Sequence, residues 1–185
     1  MNTPPVKLQT ERLVLRPPVL ADAELIFETY AQDSEVTRYL IWPPHTKVET
    51  TRAFVQRCMA GWEQGSAFPW AIRLRTAGTL IGMIELRLEG HIAELGYVLA
   101  RPHWGMGYAT EAAQAVVDWA IAQPEIFRVW AVCDVDNIAS ARVLEKVGMQ
   151  REGILRAYLL RPSYGDTPRD VYCYSIIKNA VTPSE

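Results

Sequence analysis

In Trp104-Gly-Met-Gly-Tyr108, two glycines stand one residue apart, after a β-rich segment and before an alanine-rich run. Glycine lets a backbone approach a ligand closely. The first amides of a helix have no partner within it, and the helix dipole turns its positive end toward them. Such a loop can hold an anion such as a pyrophosphate. It is no ATP loop, because no lysine follows with the G-x-x-x-x-G-K-[ST] spacing. It is a poor dinucleotide loop too, since Thr110 stands where that fingerprint needs glycine or alanine. On spacing alone a structural turn fits equally well.

Other reactive residue types form no such arrangement. His45, His91 and His103 fall in expected loops without Ser/His/Asp or metal spacing, which predicts solvent-exposed histidines and no metal. Three widely spaced cysteines, Cys58, Cys133 and Cys173, read as buried free thiols in a cytoplasmic protein. The first seven residues have neither the apolar core nor the cleavage site of a secretory signal. Nineteen basic and twenty-one acidic residues give a net charge of −2 and no footprint for nucleic acid. Apolar residues make up 49% of the chain, without the run of about 20 that a membrane span needs.

The elements that must position the loop follow from period and punctuation. Leu13–Pro17 reads as a strand and Ala23–Tyr30, after Asp22, as a helix. Thr46 and Glu49 have capping-box spacing and open a helix through Val55, Cys58, Met59 and Trp62 to Gly65. Between these helices Trp42-Pro-Pro44 reads as a loop able to face substrate. Segments 70–74, 80–88 and 92–99 predict an antiparallel meander turning near Gly78 and Gly90. A helix over 109–122, a strand over 129–133, a helix over 140–147 closed by Gly148, and strands near 154–160 and 171–176 complete the pattern. The 185 residues suit one α+β domain, residues 1–185, with a mixed, mostly antiparallel central sheet of six to seven strands flanked by about four helices.

Two motifs carry a family resemblance. Trp104–Ala112 resembles motif A of the GNAT acetyltransferase superfamily, Q/R-x-x-G-x-G/A, with Gly107 and Ala109 on its small positions and Trp104 in place of glutamine or arginine. Asn137–Met149 resembles motif B, N-x-x-S-x-x-V-x-x-K-x-G-F. Thr10–Pro17 with Asp22, and Asp170-Val-Tyr172, look like the RimJ/RimL-like branch, which includes ribosomal-protein N-terminal acetyltransferases.

The resemblance implies a GNAT-like fold and transfer of an acetyl group from acetyl-CoA to an amine, either a protein N-terminus or a small molecule, without a metal. By that likeness Val98 and Leu99 would bond the pantetheine arm, and the amides of Gly105, Met106, Gly107, Tyr108 and Ala109 would hold the pyrophosphate. Glu94 matches a base acting through water. Its distance along the strand, roughly 13 Å from Val98 at about 3.3 Å per residue, makes such a relay obligatory. Glu85 is the rival, but its alternation with Arg87 also suits an ion pair. Ser140 matches a serine that bonds the departing sulfur, and it equally fits a helix cap. Asn137 can cap that helix or bond pantetheine, Arg142 can meet phosphate or solvent, and Tyr158 can serve as general acid or packing residue. A homodimer stays open, as does the alternative of a non-catalytic acyl-CoA-binding regulatory domain.

Overall fold

The computed structural model describes residues 3–178, and in it the β-rich middle of the chain forms a meander of three strands, β3 (Ala67–Leu74), β4 (Leu80–Glu89) and β5 (Ile92–Leu99). Strand β4 begins with five consecutive buried residues, as a strand covered on both faces must. Before the meander come β1 (Leu8–Gln9) and β2 (Leu13–Arg16), and after it β6 (Arg128–Asp134), β7 (Gln150–Leu159) and β8 (Arg169–Ile177). Among the described residues one eight-stranded sheet runs β1-β2-β3-β4-β5-β6-β8-β7, antiparallel except between β5 and β6. The strand beyond the expected six to seven is β1, whose two residues are too few to show alternation.

Among the described residues five α-helices accompany it: α1 (Ala23–Ile26), α2 (Ser34–Thr37), α3 (Val48–Gln64), α4 (Tyr108–Ala122) and α5 (Ile138–Lys146). Helix α1 continues as a π-helical turn over Phe27–Ala31. The unexpected α2 is one turn, held by the Asp33 carboxylate accepting from the Glu35 amide at 2.9 Å. The Thr46–Glu49 box does not form. The N-cap is Lys47, because the His45 amide bonds the Ala31 carbonyl (2.8 Å) and its Nδ1 lies 2.7 Å from Thr51 Oγ1, so the turn is pinned one residue further on. His45 is accordingly half-buried rather than solvent-exposed, its ring 4.9 Å from that of Trp42, and burial lowers its pKa.

The core lies on both faces of the sheet. Ala112, Ala113, Val116, Val117 and Ala120 bring α4 close against Leu95, Val129 and Ala131, small side chains allowing the close approach. On the other face Tyr30, Val55 and Cys58 cover Ala71, Leu80 and Met83. The sheet therefore carries α4 and α5 on one side and α1 and α3 on the other.

Candidate active site

The sheet opens at its one parallel seam. Strands β5 and β6 pair only through Ile92–Arg128, Ala93–Val129 and Glu94–Trp130, after which β6 pairs with β8 alone. Residues Leu95 to Leu99 are left without a partner on that side, roughly 16 Å of strand at about 3.3 Å per residue. On the opposite edge of β5, Gly82 of β4 lies so close that a Cβ there would collide with the Val98 carbonyl oxygen and stand 2.7 Å from Leu99 Cδ2. Gly82 thus lets β4 and β5 crowd together while β5 and β6 part.

The wedge leads into the glycine loop. Gly105 and Gly107 have φ values of +74° and +80°, in the left-handed region that favours glycine, and Gly107 is the N-cap of α4. Among the described residues the backbone amides of Gly105, Met106, Gly107, Tyr108, Ala109 and Thr110 have no acceptor, and the first bond at the helix start runs from the Glu111 amide to the Gly107 carbonyl at 3.0 Å. These are the orphan donors of a helix start, which form an anion site with the helix dipole.

Side chains from the N-terminal segment hold this loop in place. Arg12 donates through Nε to Glu111 (2.6 Å) and through Nη1 to the Met106 carbonyl (3.0 Å), and its guanidinium lies 4.5 Å from the Tyr108 ring centre. Thr10 Oγ1 and the Arg12 amide also donate to Glu111, at 2.5 and 2.8 Å. Burial opposes ionisation of Glu111, but these bonds outweigh it and hold its pKa below the ordinary value. Thr10 and Arg12, both within the Thr10–Pro17 signature, are therefore the scaffold of the loop. Trp104, in place of glutamine or arginine, turns its indole Nε1 back to the Leu99 carbonyl at 2.8 Å and ties loop to wedge.

At the wedge, the hydroxyls of Tyr97 and Ser140 lie 2.7 Å apart, and Tyr97 also donates to the Ser140 carbonyl at 3.2 Å. Burial pushes the Tyr97 pKa up, keeping it a donor. Asn137 is the cap of α5, its side chain accepting from the Ser140 amide at 3.1 Å, so the Ser140 hydroxyl is not the cap. Cys133, at the end of β6, is a further neighbour of that hydroxyl. A groove of about 530 Å³ beside α4 is lined by residues including Gly107, Thr110, Gln114 and Lys146.

Several expected residues sit elsewhere. Glu94 lies at the closed end of the wedge, 3.6 Å from Arg87, which is 2.5 Å from Glu85, so both carboxylates converge on one guanidinium. Neither joins Ser140. Arg142 is exposed on α5 with no ion pair among the described residues, and Lys146 rather than Arg142 lines the groove. Tyr158 is 48% exposed on β7 and is not brought to the Ser140 hydroxyl, whose partner is Tyr97. No sequence motif marks Tyr97, whereas Arg12 lies within the Thr10–Pro17 signature and Lys146 within motif B, neither with a role of its own there.

Comparison with known proteins agrees with this geometry. Residues 12–150 match the family model described as an acetyltransferase (GNAT) domain. The chain is 36% identical over 174 residues to the uncharacterized N-acetyltransferase YoaA of Bacillus subtilis (strain 168), covering 92% of this chain and 96% of that one. It is 27% identical over 168 residues to the ribosomal protein uS5-alanine N-acetyltransferase of Escherichia coli (strain K12), covering 86% of each. The crystal structure of a GNAT-family acetyltransferase from Bacillus anthracis superposes with a TM-score of 0.82 at 30% identity, over 93% of this chain and 98% of that one.

Proposed function

Because the chain belongs to the GNAT acetyltransferase family, we propose that it transfers the acetyl group of acetyl-CoA to a primary amine in the cytoplasm. The observation that carries this reading is the wedge past Glu94 and Trp130 running into a loop of unpaired amides. When bound, the donor supplies an activated thioester carbonyl. The open edge of Leu95–Leu99, including the Val98 and Leu99 backbone, is suited to take the pantetheine amides as an added strand, with the Leu99 carbonyl already accepting from Trp104. The amides of Gly105 to Ala109, with Thr110, suit the pyrophosphate, and Lys146 adds a cation along the groove.

A neutral amine forms its bond to the thioester carbon as the carbon–sulfur bond breaks, so one proton must leave nitrogen and one must reach sulfur. Ser140, hydrogen-bonded to Tyr97, is the donor assigned to the sulfur. Glu94 is the base assigned to the nitrogen, acting through water because it stands at the closed end of the wedge. An α-amino group with a pKa near 8 needs only a weak base. The uS5-alanine relative supports a protein N-terminal amine as acceptor, with small amines as the second class.

Calorimetry with acetyl-CoA, followed by coenzyme A thiol release over a panel of N-terminal peptides and small amines, tests this reading. Saturable binding with turnover on some member is the expected result. No binding overturns the reading, and binding without turnover on every amine selects the acyl-CoA-binding regulatory domain instead.

A further inference from the structure

Trp104 stands where the family motif has glutamine or arginine, and it lies on the rim of the wedge rather than in the core. Its indole Nε1 donates to the Leu99 carbonyl at 2.8 Å, while 47% of the residue stays exposed. The hydrogen bond, more than burial, therefore aims the ring. A short helical turn, Arg101–His103, joins the two residues and fixes the span the indole crosses. That turn is closed by the His103 amide on the Ala100 carbonyl (3.0 Å) and the Trp104 amide on the Arg101 carbonyl (3.1 Å).

The carbonyl so taken is the first that an arm entering the wedge from the glycine loop would meet. Along a strand the backbone groups of successive residues point alternately to one neighbour and to the other. The Ala100 amide bonds the Ile81 carbonyl at 2.9 Å, on the β4 side. The groups of Leu99, and two residues back those of Tyr97, therefore face the side from which β6 has parted. A pantetheine arm laid on this edge carries two amide N–H groups, each needing a carbonyl. With the Leu99 oxygen engaged, the next carbonyl facing the wedge is that of Tyr97, roughly 7 Å deeper at about 3.3 Å per residue. Tyr97 is also the residue whose hydroxyl lies 2.7 Å from that of Ser140.

We propose that Trp104 is a positioning residue for the acyl donor: by engaging the Leu99 carbonyl it turns the pantetheine arm away from the outermost acceptor of the wedge and onto Tyr97, which brings the thioester to Ser140. The inference rests on the acetyltransferase reading and adds to it the register in which the donor lies. An indole has two side-chain torsions, so it holds its one N–H on the carbonyl with less loss of entropy than a long flexible side chain would.

Trp104→Phe removes the N–H and keeps a ring, whereas Trp104→Gln keeps an N–H. With the Leu99 carbonyl free, the arm in Trp104→Phe divides between two registers, of which the outer one is unproductive. Unproductive binding lowers kcat and KM together, so kcat should fall about fivefold, the acetyl-CoA KM and calorimetric Kd should fall with it, and kcat/KM should stay within about twofold of wild type. Trp104→Gln should bring kcat back to within about twofold. Carbonyl resonances read the register directly. Tyr97–Val98 is the one Tyr–Val pair in the sequence and Leu99–Ala100 one of two Leu–Ala pairs, so isotope labels on Tyr carbonyl with Val amide, or Leu carbonyl with Ala amide, single out each group by NMR. Acetyl-CoA added without an acceptor should move the Tyr97 carbonyl and not that of Leu99 in wild type, and should move that of Leu99 in Trp104→Phe. A Leu99 carbonyl that moves in wild type, a Tyr97 carbonyl that does not, or an unchanged kcat in Trp104→Phe overturns the inference and leaves the acetyltransferase reading standing. A fall in kcat joined to weaker acetyl-CoA binding also overturns it, because that marks a loosened loop. If Trp104→Phe fails to fold, the two wild-type carbonyls decide. Absence of acetyl-CoA binding in wild type overturns both readings.

Discussion

Two arginines, Arg12 beside the glycine loop and Arg161 after β7, invert the usual relation between exposure and bonding. Arg12, with 43% of its side chain exposed, bonds Glu111 and the Met106 carbonyl and lies over Tyr108. Arg161, almost wholly buried, has an unpartnered Nε beside carboxylates that Arg169 and backbone amides have taken. The difference separates a side chain placed by its bonds from one placed by burial. At the glycine loop the side-chain bonds brace the backbone in advance and leave its amides on offer.

The strongest challenge to this contrast is at the glycine loop. Gly107→Val should weaken acetyl-CoA binding roughly 100-fold or more by calorimetry, since φ is +80° and the backbone must approach the ligand. Gly78→Val, strained in the same way at a φ of +66° in the turn before β4, should cost stability and leave that affinity intact. Equal affinity losses in the two variants would reduce the braced loop to general instability. Next in size, Ser140→Ala should lower kcat about tenfold with acetyl-CoA affinity within about twofold of wild type. Tyr97→Phe should act in the same direction and add little to Ser140→Ala, because the hydroxyls form one unit. Strictly additive losses would separate them.

The smallest effect concerns the brace. The Glu111 pKa is held below its ordinary value, so the carboxylate contributes stability that is complete above the unfolded value, about 4.3, and is lost as pH falls through the lower folded one. Glu111→Gln should therefore lower Tm by about 2–4 °C at neutral pH. That deficit should shrink as the solution is acidified below about pH 4 in parallel melts. A deficit independent of pH would mean that Glu111 braces the loop through shape alone.

What could be read beforehand depended on whether a residue's type dictates its local geometry. Gly105 and Gly107 were legible because few other residues accept their backbone angles, and Asn137 because a short amide before a helix caps it. The meander followed from alternation. The Tyr97–Ser140 pair was not legible, since it joins a strand to a helix across a seam that no local pattern describes. Arg161 was missed because arginine ordinarily reads as surface, and Lys47 displaced Thr46 as cap because distant Ala31 and Thr51 hold His45. Glu94 was read from its strand position, which does not reveal its approach to Arg87.

The parallel seam also bears on how the chain folds. Strands β3 to β5 are joined as successive antiparallel neighbours, contacts that close over short stretches of chain, whereas Leu13 must find Leu74 across α1 to α3 and Ile92 must find Arg128 across the whole of α4. Three residue pairs then hold two leaves of sheet together. A ligand lying along that seam bridges both leaves, so cofactor concentration becomes a term in the stability of the whole protein through mass action.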